Sequence, residues 1–272
     1  MTIKLTGPLN MNEIDAEFRL GKNLGVHRGV TWYTDTPGQT GVFSATNLGF
    51  HDFYGKRKDS PFTIGDSAHF TGGDIQKTFT ADDPQRDKWS VSAWVKIEGN
   101  GGVVYSGGHR YHGDRLLLGA APGGINFDRQ NVGGPPSAGG PLNDNRWHHL
   151  MWTFDNAASP RIHMYVDGVQ VGTSDSFDIN QGIGKGKEQG VGVSPTEVGY
   201  SGFIADMHVV YGSVLTPSSF MAAGKPIAYT GAHGQNGFHL EFKDHANLGK
   251  DTSGRGNDWN VNGAVASSTD HP

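Results

Sequence analysis

Apolar and polar residues alternate along this chain in short runs, and Gly, Pro, Asn and Asp separate the runs. A period of two sets alternate side chains on one face of a strand, so such runs read as β-strands. The clearest is WSVSAWVKI (89–97), where Trp89, Val91, Ala93, Val95 and Ile97 share a face. RWHHLMWTF (146–154), RIHMYVDGVQVG (161–172), GFIADMHVVYG (202–212), GFHLEF (237–242) and DWNVNGAV (258–265) are further strand candidates. AHF (68–70) is a shorter one, and RLLLGA and INFD flank a Pro-Gly-Gly turn. One hairpin can be drawn in register. Asp167-Gly168 is a type I′ turn signal, which sets Val166 opposite Val169 and Met164 opposite Val171. The fold class expected is all-β, a two-sheet antiparallel sandwich of jelly-roll type. Its core should bury Trp89, Trp94, Trp147, Trp152 or Phe154, Val166, Met207 and Phe238. NVGGPPSAGGPLND (131–144) and NQGIGKGKEQGVG (180–192) read as surface loops.

Residues 1–57 break the pattern. In LNMNEIDAEF, Asn10 can cap a helix, Glu13 three residues on can close a capping box, and Leu9 and Ile14 stand where a hydrophobic staple belongs. Met11, Ile14 and Phe18 share a face at helical spacing. A small N-terminal module (1–57) with a short helix is therefore expected ahead of a sandwich domain (58–272), with Lys56–Pro61 as the linker. The helix also bears on chemistry. Glu13, Asp15 and Glu17 alternate, and on a strand they would line one side of a cleft as glycoside hydrolase carboxylates do. On a helix, Asp15 turns away from Glu13 and Glu17, and a retaining pair about 5 Å apart across a substrate is lost. No catalytic residue is assigned on this reading.

Composition narrows the classes. The chain has 272 residues, 42 of them glycine and none cysteine, with a formal charge of −5. Glycine without a triplet period means turns. The missing cysteines exclude disulfides and thiolate metal sites. No basic stripe argues for nucleic acid. The first ten residues lack the apolar core of a secretion signal, and no apolar run nears the ~20 residues of a membrane helix. A soluble chain without membrane insertion is expected.

Candidate sites are few. His148 and His149 are adjacent, so on a strand they face opposite sides and cannot chelate one ion together; they read as structural. The glycine-flanked SGGHRYHGDR (106–115) gathers His109, Arg110, Tyr111, His112, Asp114 and Arg115, groups suited to a sugar or protein ligand. Asp74, Asp128, Glu197 and Asp206 could serve calcium, but no EF-hand loop is present. Asp206 reads better as a polar group hydrogen-bonded between strands. No metal site is assigned and no cofactor expected, with Ca2+ left open. KGKEQG and GIGKG lack the Walker spacing and its βαβ setting, and no G-x-S-x-G elbow occurs.

WSVSAWVKI, DNRWHHLMWTFD, IHMYVDGVQVG and GFIADMHVVYG together resemble the concanavalin A-like, laminin-G/pentraxin superfamily. The resemblance implies two antiparallel sheets and frequent glycan or protein binding, without catalysis. Gly202–His208, Thr216–Phe220, Asn236–Phe238 and Asp251–Trp259 resemble phrases recurring in tailed-bacteriophage virion proteins. GPLNMNEIDAEFRLG and FHDFYGKR resemble a short module at the front of phage tail-associated proteins. What these resemblances imply is a virion structural protein, on the tail or as surface decoration, assembled in the host cytoplasm. Its partners would be other virion proteins and host-surface carbohydrate, and a homo-oligomer is expected. Met11, Ile14, Phe18, Phe53 and Tyr54 are the residues expected to dock the module. The rival readings are a purely structural capsid decoration or cement subunit without glycan binding, and a laminarinase-type glycoside hydrolase.

Overall fold

The computed structural model describes all residues except 1, 5, 35–39, 57–61, 108–115, 130–137, 176–181 and 194–198. The chain divides into two compact units, Met1–Thr63 and Ile64–Pro272; most of the expected linker lies outside the described residues.

The first unit is built around the helix Met11–Phe18, whose start forms the expected capping box. The Asn10 side chain accepts from the backbone N–H of Asn12 (2.9 Å) and Glu13 (3.2 Å), and Glu13 Oε2 accepts from Asn10 N–H at 2.9 Å. These bonds satisfy helix-start donors that would otherwise be orphaned. Lys4 Nζ meets Glu13 Oε1 at 2.5 Å. That bond first, with the Asn10 bond, lowers the Glu13 carboxyl below its ordinary value. Ile14 and Phe18 are buried with Ile3, Phe43, Leu48 and Phe53. The rings of Phe18, Phe43 and Phe53 meet at centroid distances of 4.4–5.7 Å. Ile3 N–H donates to Lys56 O at 2.9 Å, so the two ends of the unit close on each other. The FYGK phrase thus has a structural account: Phe53 fills the core, and Lys56 Nζ sits 3.5 Å from the centroid of the Trp32 ring.

The second unit is a two-sheet sandwich in which every described pairing is antiparallel. One sheet runs Val169–Ser174, Ile162–Val166, His148–Asp155, Lys88–Ile97, Ser201–Tyr211, Ser67–Thr71, Val265–Ser268, and Phe238–Leu240 also pairs with Ser201–Tyr211. The other runs Asn260–Asn262, Asp74–Thr78, Glu188–Val191, Gly102–Gly107, Leu116–Ala121, Gly124–Arg129, Ala138–Gly139. Trp89, Val91, Ala93, Val95, Leu150, Trp152 and Phe154 from the first sheet share one buried core with Ile75, Tyr105, Leu118, Phe127 and Val191 from the second. Trp89 and Phe154 are directly paired across strands and stack at 5.5 Å. The Trp152 indole N–H donates to Asn126 O at 2.9 Å, a bond from one sheet to the other. Each such fully buried large side chain contributes about 1.5–3 kcal/mol relative to exposure.

Several expectations change. In the hairpin, Asp167 (φ 49°) and Gly168 (φ 82°) form the turn and Val166 pairs with Val169, but a bulge sets Met164 opposite Gly172, not Val171. Trp147 is only half-buried, because its indole N–H reaches Asp270 Oδ1 (2.8 Å) on the outside of the sheet. Within 180–192, Glu188–Val191 is an interior strand of the second sheet. Its glycine disguises it: a Cβ on Gly190 would stand 2.1 Å from the Val193 side chain, so the backbone passes bare there. Leu142, in the expected loop 131–144, is a core residue. DWNVNGAV is two strands, one in each sheet, parted at Gly263 (φ 68°) where a left-handed residue lets the chain cross over.

Candidate functional site

The middle strands of the first sheet are buried on both faces over much of their length. On the outer side of the sheet stand Ser90, Ser92 and Trp94, then His149, Met151 and Thr153, then Ala205, His208 and Val210, all buried. Residues 212–237 cover them. Ser90 Oγ donates to Ser213 O (3.0 Å) and accepts from Leu215 N–H (2.9 Å), which fastens this segment to the sheet. Phe220 then packs with Met151 and Val210, with Leu215, Tyr165 and Tyr229 at the margin.

A bulge turns this covered face into a site. In Ser201–Tyr211 the register with the neighbouring strand jumps between Ala205, opposite Trp94, and His208, opposite Ser92. Asp206 is the inserted residue, held at φ 46°, a conformation costly for a non-glycine residue. Met207 stays in the inner core, and the Asp206 carboxylate meets His208 and His239. His239 lies opposite His208 on Phe238–Leu240. Its Nε2 is 2.7 Å from Asp206 Oδ1; His208 Nε2 is 3.4 Å from the same oxygen and makes no hydrogen bond among the described residues.

The imidazoles are held from behind. His208 Nδ1 and His233 Nε2 share a hydrogen at 3.1 Å, and His239 Nδ1 is 2.9 Å from Thr252 Oγ1. The His208 and His239 rings stack at 3.8 Å. Asp251 accepts from the backbone N–H groups of His239 (3.0 Å), Ser253 (2.9 Å) and Asn257 (2.8 Å). That is what Asp251–Trp259 does: it folds a turn around one carboxylate and places His239. His149 Nε2 meets Ser92 Oγ at 2.8 Å nearby. Burial pulls His149 down to about 4 and His233 to about 3. Burial likewise lowers His208. Burial also works against an ionised Asp206, but His208 and His239 beside it hold the carboxyl below its ordinary range. The layer thus sets an anionic Asp206 carboxylate beside His149, His208 and His233, imidazoles that burial keeps from ionising.

The residues expected from sequence fall elsewhere. His109, Arg110, Tyr111, His112, Asp114 and Arg115 lie outside the described residues, as do Glu197 and the Asp128 side chain. Ile14, Phe18 and Phe53 are fully buried in their own unit, so they build the module and cannot be its docking face; Met11 and Tyr54 keep partial exposure. Glu13 and Asp15 serve the helix, Asp15 Oδ1 accepting from Gly21 N–H at 2.8 Å. Asp74 accepts from Gln76 and Asn262 side chains. Asp206 does bond between strands, as its sequence suggests, but its imidazole neighbours are unlike the all-oxygen shell of calcium. His148, between Asp167 (2.8 Å) and Asp144 (3.0 Å), is raised above its ordinary value by the Asp167 bond first. The D-x-H spacing of Asp206 and His208, with His239 on a later strand, was the available signal for the cluster.

Residues 70–219 match the family model described as the concanavalin A-like lectin/glucanases superfamily. No curated protein sequence gives a significant match. The structure is similar to that of a Bacteroides ovatus protein described as a candidate carbohydrate-binding protein, at 16% identity and a TM-score of 0.54 over 84% of this chain and 65% of that one. It is also similar to the heptameric SAP-like pentraxin of Limulus polyphemus, at 13% identity and a TM-score of 0.50 over 75% of this chain and 94% of that one. With these sheets and a family match over more than half its length, the chain belongs to the concanavalin A-like lectin/glucanase superfamily.

Proposed function

We propose that this chain is a bacteriophage virion structural protein whose sandwich is a non-catalytic, lectin-like module for host-surface carbohydrate. The observation that carries the lectin-like reading is the laminin-G-type sandwich, whose family and fold neighbour are associated with carbohydrate binding. The virion assignment rests on the phage-like phrases of the sequence. In this reading the Met1–Thr63 unit docks on other virion proteins, with the partly exposed Met11 and Tyr54 as contact residues. The loop containing His109, Arg110, Tyr111, His112, Asp114 and Arg115 contacts the sugar. The described residues that flank it, Gly107 and Leu116, are directly paired in the second sheet.

One observation favours the rival, a decoration subunit that binds no glycan. The chain's own residues 212–237 cover the outer face of the first sheet, which removes that face from ligand binding. Two experiments decide. Cryo-electron microscopy of purified particles should locate the chain in the virion; its absence from particles would overturn the virion reading. A glycan array with the full chain should give specific binding that Tyr111→Ala and His112→Ala weaken at least tenfold. Incorporation into particles with a blank array would leave the decoration subunit.

A further inference from the structure

We propose that Asp206, His208 and His239 form a binding site for a divalent first-row transition metal of the zinc class, which pins the Phe238–Leu240 strand and the 212–237 segment to the sheet. Three observations converge. First, Asp206 Oδ1, His208 Nε2 and His239 Nε2 all lie within 4.8 Å of one another. Second, His208 is 1% exposed, yet its Nε2 makes no hydrogen bond among the described residues and lies 3.4 Å from the Asp206 carboxylate. A buried, unmatched nitrogen beside a buried carboxylate is costly unless a cation shares both. Third, the far ring nitrogens are already engaged, His208 Nδ1 by His233 and His239 Nδ1 by Thr252. Outer partners of this kind fix the ring orientation and tautomer of metal-ligating histidines, leaving Nε2 as the donor atom.

The geometry has to adjust on binding. Tetrahedral zinc with bonds of about 2.0–2.1 Å sets its donors roughly 3.3 Å apart. The His208 Nε2–Asp206 Oδ1 separation is 3.4 Å, and the 2.7 Å between His239 Nε2 and Asp206 Oδ1 has to lengthen. The two stacked rings have to splay so that both Nε2 lone pairs meet at one point. His239 is the most accessible of the three, with a 12% exposed side chain, and gives the ion its way in. Two imidazoles and one carboxylate favour Zn2+, Co2+ or Ni2+ over Ca2+ or Mg2+, and leave a fourth position for water.

The test uses tag-free full-length protein, stripped with chelator and titrated with Co2+. One equivalent per chain should bind with visible ligand-field bands that Zn2+ abolishes. Zn2+ at 100-fold over its Kd should raise Tm by about 5–10 °C, and Ca2+ should not. His239→Gln should weaken Co2+ binding at least 100-fold, whereas His163→Gln, on the neighbouring Ile162–Val166 strand, should not change it. If His239→Gln fails to fold, the wild-type Co2+ protein still decides, because two paramagnetically shifted, exchangeable imidazole N–H resonances are required. A wild-type protein without bands or Tm shift, bands unchanged in a folded His239→Gln, or fewer than two such resonances would overturn the proposal.

Discussion

On its inner side the Lys88–Ile97 strand gives Trp89, Val91, Ala93 and Val95 to an apolar layer shared by both sheets. On its outer side the same strand gives Ser90, Ser92 and Trp94 to a layer that holds His149, His208, His233, His239 and Asp206. Both layers are buried. The inner one is stabilised by area removed from water and by close packing, where an unpartnered polar group is costly. The outer one is a hydrogen-bonded network, whose worth depends on every member being matched. A strand with two buried faces can thus carry its stability on one and its chemistry on the other.

Substitutions can break this contrast. Trp152→Ala should have the largest effect, about 3–5 kcal/mol of lost stability by denaturant titration, because it opens a cavity in the inner layer and removes the bond to Asn126. A loss below about 1 kcal/mol would mean that the inner layer is not the main source of stability. Asp206→Ala in the outer layer should cost about 2–3 kcal/mol, since a charged hydrogen bond to His239 disappears. Asp206→Gly should cost about 1 kcal/mol less than Asp206→Ala, because glycine adopts the positive φ without strain. Equal losses for the two would remove backbone strain from the account.

Acid should separate the layers without any mutation. His149 is held down to about 4 in the folded chain by burial, against about 6.5 when unfolded. Its folded form is neutral, so its share of stability is complete above pH 6.5 and is lost as pH falls from there towards 4. The slope should be on the order of 1 kcal/mol per pH unit, and His149→Gln should flatten it. His148 works in the opposite sense. Raised by its carboxylate partners, it contributes fully below pH 6.5 and fades as pH climbs through its elevated value. The smallest effect expected is Ser92→Ala, about 1 kcal/mol, from leaving His149 Nε2 without its hydroxyl. No measurable change there would mean that the network is more forgiving than its geometry suggests.

The two layers also differ in how far they could be read from sequence. Alternation identified the inner face of the Lys88–Ile97 strand residue by residue, because period-two burial is a local property. The helix Met11–Phe18 was legible for the same reason: its capping box involves residues three apart. Glu188–Val191 was missed because glycine carries no hydrophobic signal, whatever its neighbours require. The Asp206 cluster was missed because a bulge breaks the alternation at Asp206, and because His239 comes from a strand 31 residues after His208. Tertiary pairing, which no local pattern contains, is what brings them together.

The closing strands carry a consequence for synthesis. Ser67–Thr71 finds one of its two partners in Val265–Ser268, and Ser67 Oγ donates to Asp270 O across 203 residues of chain. Asn260–Asn262 meanwhile completes the edge of the opposite sheet beside Asp74–Thr78. Until these residues emerge from the ribosome, a nascent chain presents unpaired hydrogen-bonding edges on both sheets at once. Non-local closure of this kind is slow, and open edges invite pairing between neighbouring nascent chains.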